Sequence, residues 1–330
     1  MDCKVAVIIP VKNEGAAIDQ LMESLLAQTL SPAEIVVTDG GSTDGTVERL
    51  MVWKERGLPL TVVLADHAFP GTGRNLAAEA TECEILAFTD AGVRHHPDWM
   101  KRLLEPMEKD PEVDVVYGAF EPVTSSFYLR CAAYAHVKPK SLVEGIPTRT
   151  HFIASSLMKR KVWKEVGGFP DLRAGEDRIF MGRIRKAGRY KIAYAPRAMV
   201  QWEIPSSFGK TFRKYALYSR HDLIAGLARD WHLPVLRLYV LLAPVTVLGF
   251  IHKKTWFLGL PLFYVIRAAK NVWLKSETRR WLKVLNPLLV GGVALVLFTV
   301  DSAMFSGLFH WLWRDRFLSR FSPSRGTAKG

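Results

Sequence analysis

The sequence predicts an α/β fold: a mostly parallel, Rossmann-like sheet with helices on both faces, followed by membrane helices at the C-terminal end. Three observations predict it. Short β-branched runs alternate with helical spacing through the first 120 or so residues, the long apolar runs crowd into the last hundred, and the basic excess crowds there too. Residues 231–330 hold 14 Lys and Arg against 3 Asp and Glu, whereas residues 1–230 hold 31 against 29. Basic residues interleaved with apolar stretches and tryptophan are what anionic headgroups and the membrane interface select. A nucleic-acid surface would carry its basic residues on a soluble face, so no nucleic-acid partner is expected. A chain that is 49% hydrophobic and 23% charged is not disordered as a whole. Its three cysteines, Cys3, Cys83 and Cys131, are an odd number without a CxxC pair, which argues against a disulfide scaffold or structural zinc and fits a reducing compartment. The opening MDCKVAVIIP has too short an apolar run for a signal peptide.

Each element follows from its own residues. Residues 4–10 are a β-branched run closed by Pro10, the pattern of a buried parallel strand. Helical spacing takes over at 16–30, with Ile18, Leu21, Met22, Leu25 and Leu26 on one stripe. EIVVTD at 34–39 is a second strand. The alternation continues with a helix at about 46–56, a strand at 60–64, a helix at about 74–80, a strand at 84–90, a helix at about 97–109 and a strand at 113–118. Such alternation implies a parallel sheet covered on both faces. Ligands bind beyond the carboxyl ends of strands in these sheets, which singles out Pro10–Glu14, Asp39–Asp44 and Asp90–Gly92.

The chemistry at those ends is polar and acidic. TDGGSTDGT (38–46) offers a carboxylate at Asp39, flexible backbone at Gly40, Gly41 and Gly45, and a helix cap from Ser42 or Thr43; the same residues also make an ordinary turn. The chain has neither GxGxxG nor GxxxxGKS/T, which counts against dinucleotide binding and Walker-type phosphate chemistry. FTDAG (88–92) ends a strand with Asp90, a carboxylate able to hold a divalent cation on a diphosphate or to cap a turn. PGTGRN (70–75) brings glycine backbone and Arg74 to a phosphate or base, or forms a surface loop. In GGFPDLRAGEDRIFMGRIRKAG (167–188), Glu176 and Asp177 open a helix. First-turn acids suit the helix dipole, and a carboxylate facing the cleft can take a proton from an attacking hydroxyl.

In this order and spacing, the segments resemble the family-2 glycosyltransferases of the GT-A fold, from about residue 4 to residue 225. VAVIIPVKNEG looks like the family's opening strand and nucleotide loop. The resemblance implies nucleotide binding by Pro10, Val11, Asn13 and Glu14, by Asp39 on the base, and by Arg74 and Asn75 of an RN segment. FTDAG stands where the family has its DxD motif, so Asp90 is implied as the ligand of Mg2+ or Mn2+; Gly92 replaces the second carboxylate, and a weaker site is expected. GEDRIFMGRIRKAG looks like the acidic segment whose Asp, here Asp177, is the family's catalytic base, with Glu176 as a cap or acceptor contact. Gly40 stands where many relatives have another Asp, which weakens any ribose contact. Residues 199–222 only loosely match the QxxRW element of processive polysaccharide synthases; Arg220 is a candidate phosphate or acceptor contact, or part of a solvated basic face, and processive synthesis is not expected.

The expected division is a catalytic domain at 1–230 and a membrane-associated region at 231–330. The former ends in an amphipathic helix at about 207–225, where Phe208, Phe212 and Tyr215 stand among Lys210, Arg213, Lys214 and Arg220. Of three apolar segments, 233–251 is just long enough to span, 255–269 is short, and 286–313 is long enough with Asp301 inside it. The basic stretch 267–283 reads as a cytoplasmic loop, and an even number of crossings would keep the basic C-terminal end inside as well.

The resemblance implies an inverting hexosyltransferase-type enzyme. It would move a sugar from a nucleotide-diphospho-sugar, UDP-type, to a lipid-linked or envelope glycan acceptor, from the cytoplasmic side of the inner membrane. Two alternatives stand beside it: a catalytically silent scaffold of a polysaccharide-assembly complex, and transfer to polyprenyl phosphate. The missing second DxD carboxylate favours the scaffold, and the Glu176–Asp177 pair opposes it.

Overall fold

A computed structural model of the chain describes residues 5–317 apart from the Trp256 side chain; Cys3 and the basic stretch 318–330 lie outside the described residues. The chain divides into two compact units, one running to residue 123 and resuming at 138–204, the other comprising 124–137 and the residues from 205 onward.

The first unit begins with the expected alternation: β1 (Val5–Val11), α1 (Gly15–Leu26), β2 (Glu34–Asp39), α2 (Thr46–Glu55), β3 (Leu60–Leu64), α3 (Pro70–Glu79) and β4 (Ile85–Phe88). β5 (Val93–His95), α4 (Trp99–Lys109) and β6 (Val113–Pro122) follow. After α5 (Phe127–His136), which belongs to the second unit, come a hairpin of β7 (Ser141–Val143) and β8 (Ile146–Thr148), then β9 (Ser156–Lys159), α6 (Arg160–Glu165), α7 (Glu176–Ala187) and β10 (Lys191–Trp202). The large sheet has the order β3-β2-β1-β4-β9-β6-β10-β5. β1 to β4 run parallel and β6 runs parallel to β10, but β9 is antiparallel to both β4 and β6, and β5 is antiparallel to β10. The sheet is therefore mixed. β9 enters from a short 3-10 turn at Ile153–Ser155 rather than from a helical crossover, so nothing constrains it to run parallel.

Register sets the site. Val11 pairs with Asp39, and Ile8 with Phe88, so the carboxyl ends of β1, β2 and β4 lie side by side. The strands reach this edge through a core in which β1 buries Val5 to Ile9 and β2 buries Ile35 to Val37, as strands covered on both faces must. Phe169 stacks on Phe180 of α7 at 3.9 Å between ring centroids and meets Phe88 of β4 edge-on at 5.3 Å. That aromatic wedge fixes the first turn of α7 beside the end of β4.

The second unit contains α5 with α8 (Phe208–Ile224), α9 (His232–Ile251), α10 (Gly259–Lys275), α11 (Arg280–Val284) and α12 (Pro287–His310). Serine side chains cap two of these helices: Ser126 Oγ accepts from Leu129 N–H, and Ser207 Oγ from Lys210 N–H. α12 crosses its neighbours at glycines. A Cβ at Gly292 would stand 2.6 Å from Cys131 Sγ of α5, and one at Gly307 would stand 2.5 Å from the Ala216 carbonyl of α8. Small residues at crossings are how apolar helices approach closely. Helix α8, expected to close the catalytic domain, is grouped here with α12.

Two helices among the described residues are long and apolar enough to cross a membrane: His232–Ile251 (20 residues, mean hydropathy 1.9) and Pro287–Phe317 (31 residues, mean hydropathy 2.1). The short expected segment at 255–269 becomes a 3-10 turn at Lys254–Leu258 and the start of α10. Because α10 runs on to Lys275, Arg267 lies in a helix and not in the basic loop that its neighbours suggested. There it pairs with Asp301 of α12, which also accepts from Tyr264 Oη at 3.1 Å and from Tyr239 Oη at 3.2 Å. The acidic residue inside the longest apolar run is thus buried with a cation and two hydroxyls, as an ionisable group in such a helix requires.

Candidate active site

The loops after β1 and β2 hold each other. Asn13, left-handed at φ +56°, donates its N–H to Ser42 Oγ (2.8 Å), and its Oδ1 accepts from Thr43 N–H (2.9 Å). Glu14 N–H donates to Thr46 Oγ1 (2.9 Å), Gly15 N–H to Asp44 Oδ2 (3.0 Å), and Gly40 N–H to the Val11 carbonyl (2.9 Å). Ser42 and Thr43 are therefore not helix caps, as their sequence position suggested. Gly45, at φ +85°, precedes α2, whose first N–H, that of Thr46, donates to Asp44 Oδ1 at 3.2 Å. Asp44, whose role was not foreseen, is held below the ordinary carboxylate range by the Thr46 hydroxyl and then by Gly15 N–H.

Asp39 sits inside this stitched rim and is buried. Its Oδ2 accepts from Gly41 N–H at 3.0 Å and Ser42 N–H at 2.9 Å, while its Oδ1 has no partner. Thr38 Oγ1 beside it is buried and unpartnered as well. Pro10 packs on α3, where a Cβ at Gly73 would come within 3.1 Å of the Pro10 Cβ. A buried acceptor left unsatisfied costs about 1–3 kcal/mol. Thr38 faces α3, so it is the orphan oxygen of Asp39 that marks a place where a ligand can supply a donor.

Arg74 of α3 is the hub. Its side chain is 3% exposed, with Nη1 donating to Glu176 Oε1 at 2.8 Å and Nη2 to Asp90 Oδ1 at 2.6 Å. The guanidinium lies over the Phe169 ring at 5.3 Å, and its Nε has no partner. Burial disfavours its charge, but Asp90 and Glu176 outweigh that cost and raise its pKa above the ordinary value. Gly71 makes the reach possible: a Cβ there would stand 2.2 Å from the Pro170 carbonyl and 3.3 Å from Glu176 Cβ, so any side chain would push α3 away from α7.

Asp177 follows Glu176 in the first turn of α7, after Gly175 in the left-handed region at φ +82°. Its carboxyl is pushed up to about 6, first by desolvation and then by the neighbouring Glu176 carboxylate, against the pull of Arg74 and of Arg178 N–H at 2.7 Å. The group is ionised near neutral pH and close to taking a proton. Glu176, expected as a cap or acceptor contact, is buried on Arg74.

Asn75, expected on the nucleotide, is committed elsewhere. Its Oδ1 accepts from Trp163 Nε1 (3.0 Å) and Phe169 N–H (2.9 Å), and its Nδ2 donates to the Phe169 carbonyl (2.8 Å). It holds the segment that leads to α7. His95 supports the edge from behind: buried and kept neutral by that burial, it bonds Thr89 Oγ1 at 2.8 Å and Ser24 Oγ at 3.0 Å. Thr89 directly precedes Asp90, and no motif pointed to this pair. Arg220 lies in the second unit, where its guanidinium meets Asp315 through two bonds of 2.7 and 2.8 Å.

Of the donors a divalent cation would need, this edge supplies one carboxylate, Asp90, whose side chain is 35% exposed. Among the described residues no three His, Cys, Asp or Glu side chains gather at metal-binding distance. A lone carboxylate fits an ion shared with a substrate diphosphate, since Mg2+ commonly keeps one or two carboxylates and completes its shell with phosphate and water.

The unpartnered Oδ1 of Asp39 yields a direct expectation. Asp39→Asn keeps an oxygen for Gly41 and Ser42 but puts a donor where the orphan acceptor stands. A nucleotide that supplied a donor here would lose one charge-assisted hydrogen bond, about 1.5–3 kcal/mol, and bind about ten- to a hundredfold more weakly. Calorimetric titration of UDP into the folded variant measures it.

Known proteins resemble this chain in sequence and in fold. The family model for glycosyl transferase family 2 matches residues 6–167. The O-antigen chain rhamnosyltransferase RfbN of Salmonella typhimurium is 28% identical over 224 residues, covering 64% of this chain and 70% of its own. The glycosyltransferase AglE of Haloferax volcanii is 28% identical over 262 residues, 77% of this chain and 84% of its own. Among solved structures, the mannosyltransferase PcManGT of Pyrobaculum calidifontis, in complex with GDP-Man and Mn2+, superposes over 95% of this chain and 88% of its own, with a TM-score of 0.63 at 19% identity. Residues 6–167 thus carry a family 2 glycosyltransferase domain, and the chain is a glycosyltransferase built on the GT-A fold.

Proposed function

We propose that this glycosyltransferase moves a sugar, with inversion, from a nucleotide-diphospho-sugar to a hydroxyl of a lipid-linked or envelope glycan at the cytoplasmic face of the inner membrane. The observation that carries the reading is Asp177, a carboxyl poised at about 6 beside a buried arginine that joins α3, the end of β4 and α7. The O-antigen relative supports the envelope glycan, and the two long apolar helices support the membrane. The poised carboxyl also favours a working enzyme over a silent scaffold.

In this reading the donor's base lies at the end of β2, where Asp39 Oδ1 accepts a ring N–H, a pattern a pyrimidine offers. The rim of Pro10, Val11, Asn13 and Glu14 forms the wall of that pocket. Arg74 holds Asp90 at the diphosphate and Glu176 at the helix start. Asp90 would hold Mg2+ or Mn2+ against the diphosphate, and the ion, when bound, supplies charge neutralisation to the leaving group. Asp177 accepts the proton of the acceptor hydroxyl. The oxygen attacks the anomeric carbon from the face opposite the leaving group, and the bond to the diphosphate breaks with its electron pair. One displacement inverts the centre, so an α-linked donor gives a β-linked product.

A general base contributes about a hundred- to ten-thousandfold. Asp177→Asn should lose that much turnover, measured as sugar transfer and donor hydrolysis in detergent, while UDP affinity holds. The protonated carboxyl is inactive, so kcat/KM should fall about tenfold per unit of pH below about 6 and level off above it. Retention of the donor's configuration, or a pH profile flat down to 5, refutes the mechanism.

Gly92 tests the cation. Nothing lies within 4 Å of a Cβ built there, so Gly92→Asp adds the missing carboxylate without a clash. The Mg2+ or Mn2+ concentration needed for half-maximal activity should drop about tenfold, because affinity follows the charge of the ligand set. Asp90→Ala should abolish activity at any cation concentration.

A further inference from the structure

We propose that Tyr117, His151 and Tyr194, with Arg185 beside them, form the acceptor subsite and that it takes a sugar ring bearing an acidic group. The inference rests on the transferase reading above and names the acceptor's chemical class. The three rings cluster: His151 lies 5.1 Å from Tyr117 and 5.0 Å from Tyr194 between centroids, and Tyr194 Oη bonds His151 Nε2 at 2.9 Å. Tyr117 is buried beneath the exposed His151 and the half-buried Tyr194, which are the outer rings of the cluster. Aromatic faces at a surface are what the apolar C–H side of a pyranose stacks on.

The backbone that presents His151 is strained and tightly held. His151 has φ +57°, a conformation that non-glycine residues adopt at some cost and keep mostly where function needs it. Its neighbours enforce the conformation. Arg149 donates to the Lys138 carbonyl at 2.7 Å and to Glu121, Thr150 is buried and its carbonyl accepts from Lys138, and Phe152 packs at a tilt on Phe120, 4.5 Å between centroids. None of these contacts uses the imidazole, whose partners are Tyr117 and Tyr194.

Position and charge agree. Tyr117 packs in one core cluster with Phe180 and Ile184 of α7, the helix that begins at Glu176–Asp177. Arg185 stands eight residues along α7 from Asp177, ~12 Å at the helical rise, which is the reach of a short oligosaccharide. From the other side, Ala154, three residues after His151, accepts from Thr89 Oγ1 at 3.0 Å, next to Asp90. The subsite therefore flanks the place where the acceptor hydroxyl must lie. Arg185 is exposed and makes no ion pair among the described residues, yet its charge is felt at all three rings. Partial desolvation of the ring, then Lys138 and Arg185, lower His151 below its ordinary pKa, and the charges around the ring are positive.

The test uses the full chain in detergent and saturation-transfer NMR with three probes: methyl glucoside, glucose 1-phosphate and methyl glucuronide. Wild type should bind at least one acidic probe more tightly than the neutral one, and whichever is preferred tells phosphate from carboxylate. Arg185→Gln should weaken that probe about tenfold, the loss of one charge-assisted contact. His151→Gly, which relieves the left-handed backbone, should abolish saturation transfer to the ring protons. UDP titration should show unchanged nucleotide affinity in both variants. Equal binding of all three probes, or acidic-probe binding untouched by both substitutions, overturns the subsite. Failure of wild-type protein to hydrolyse any nucleotide-sugar would instead count against the transferase reading, which the probe measurements do not depend on.

Discussion

A single buried guanidinium organises the candidate catalytic edge. Arg74 ties α3 to the end of β4 through Asp90 and to the start of α7 through Glu176. Three segments meet on one charge, and among the described residues the buried Glu176 carboxylate is paired there with nothing else. A buried ion network of this kind is weak as a source of stability, because desolvation offsets most of the Coulombic gain, but removing one member leaves the others uncompensated. Its value here is positional. The glycine at position 71 and the Phe169–Phe180 stack are the packing conditions that let the arginine arrive.

The same network sets the protonation of Asp177, the proposed base. Asp177 is next to the Glu176 carboxylate and largely desolvated, which raises it, and Arg74 limits the rise. A carboxyl left at an ordinary value would be a poor proton acceptor, and one raised much further would be protonated at neutral pH. The candidate site is thus a balance between two acids and one base on α7 and α3.

Much of this was legible in the sequence, and the limits are instructive. The β1–α1–β2–α2–β3 alternation could be read because buried parallel strands and amphipathic helices carry different periods. The end of β2 pointed to Asp39 through its glycine-rich turn. What could not be read was pairing across distance. Nothing in local composition says that Asn75 would serve Trp163 and Phe169, that Glu176 would meet Arg74, or that Arg220 would meet Asp315. The antiparallel β9 was invisible for the same reason, since four residues in a short strand carry no direction. Arg267 looked like part of a basic loop because its charge was counted without the Asp301 that neutralises it.

The most direct measurement is the acid limb of the pH–rate profile in Glu176→Gln. Glutamine keeps an oxygen for Arg74 but removes the negative charge that helps hold Asp177 near 6. The account predicts that the limb moves to lower pH while inversion and nucleotide affinity are preserved. A limb that stays in place, or moves to higher pH, would show that Asp177 is not governed by this network.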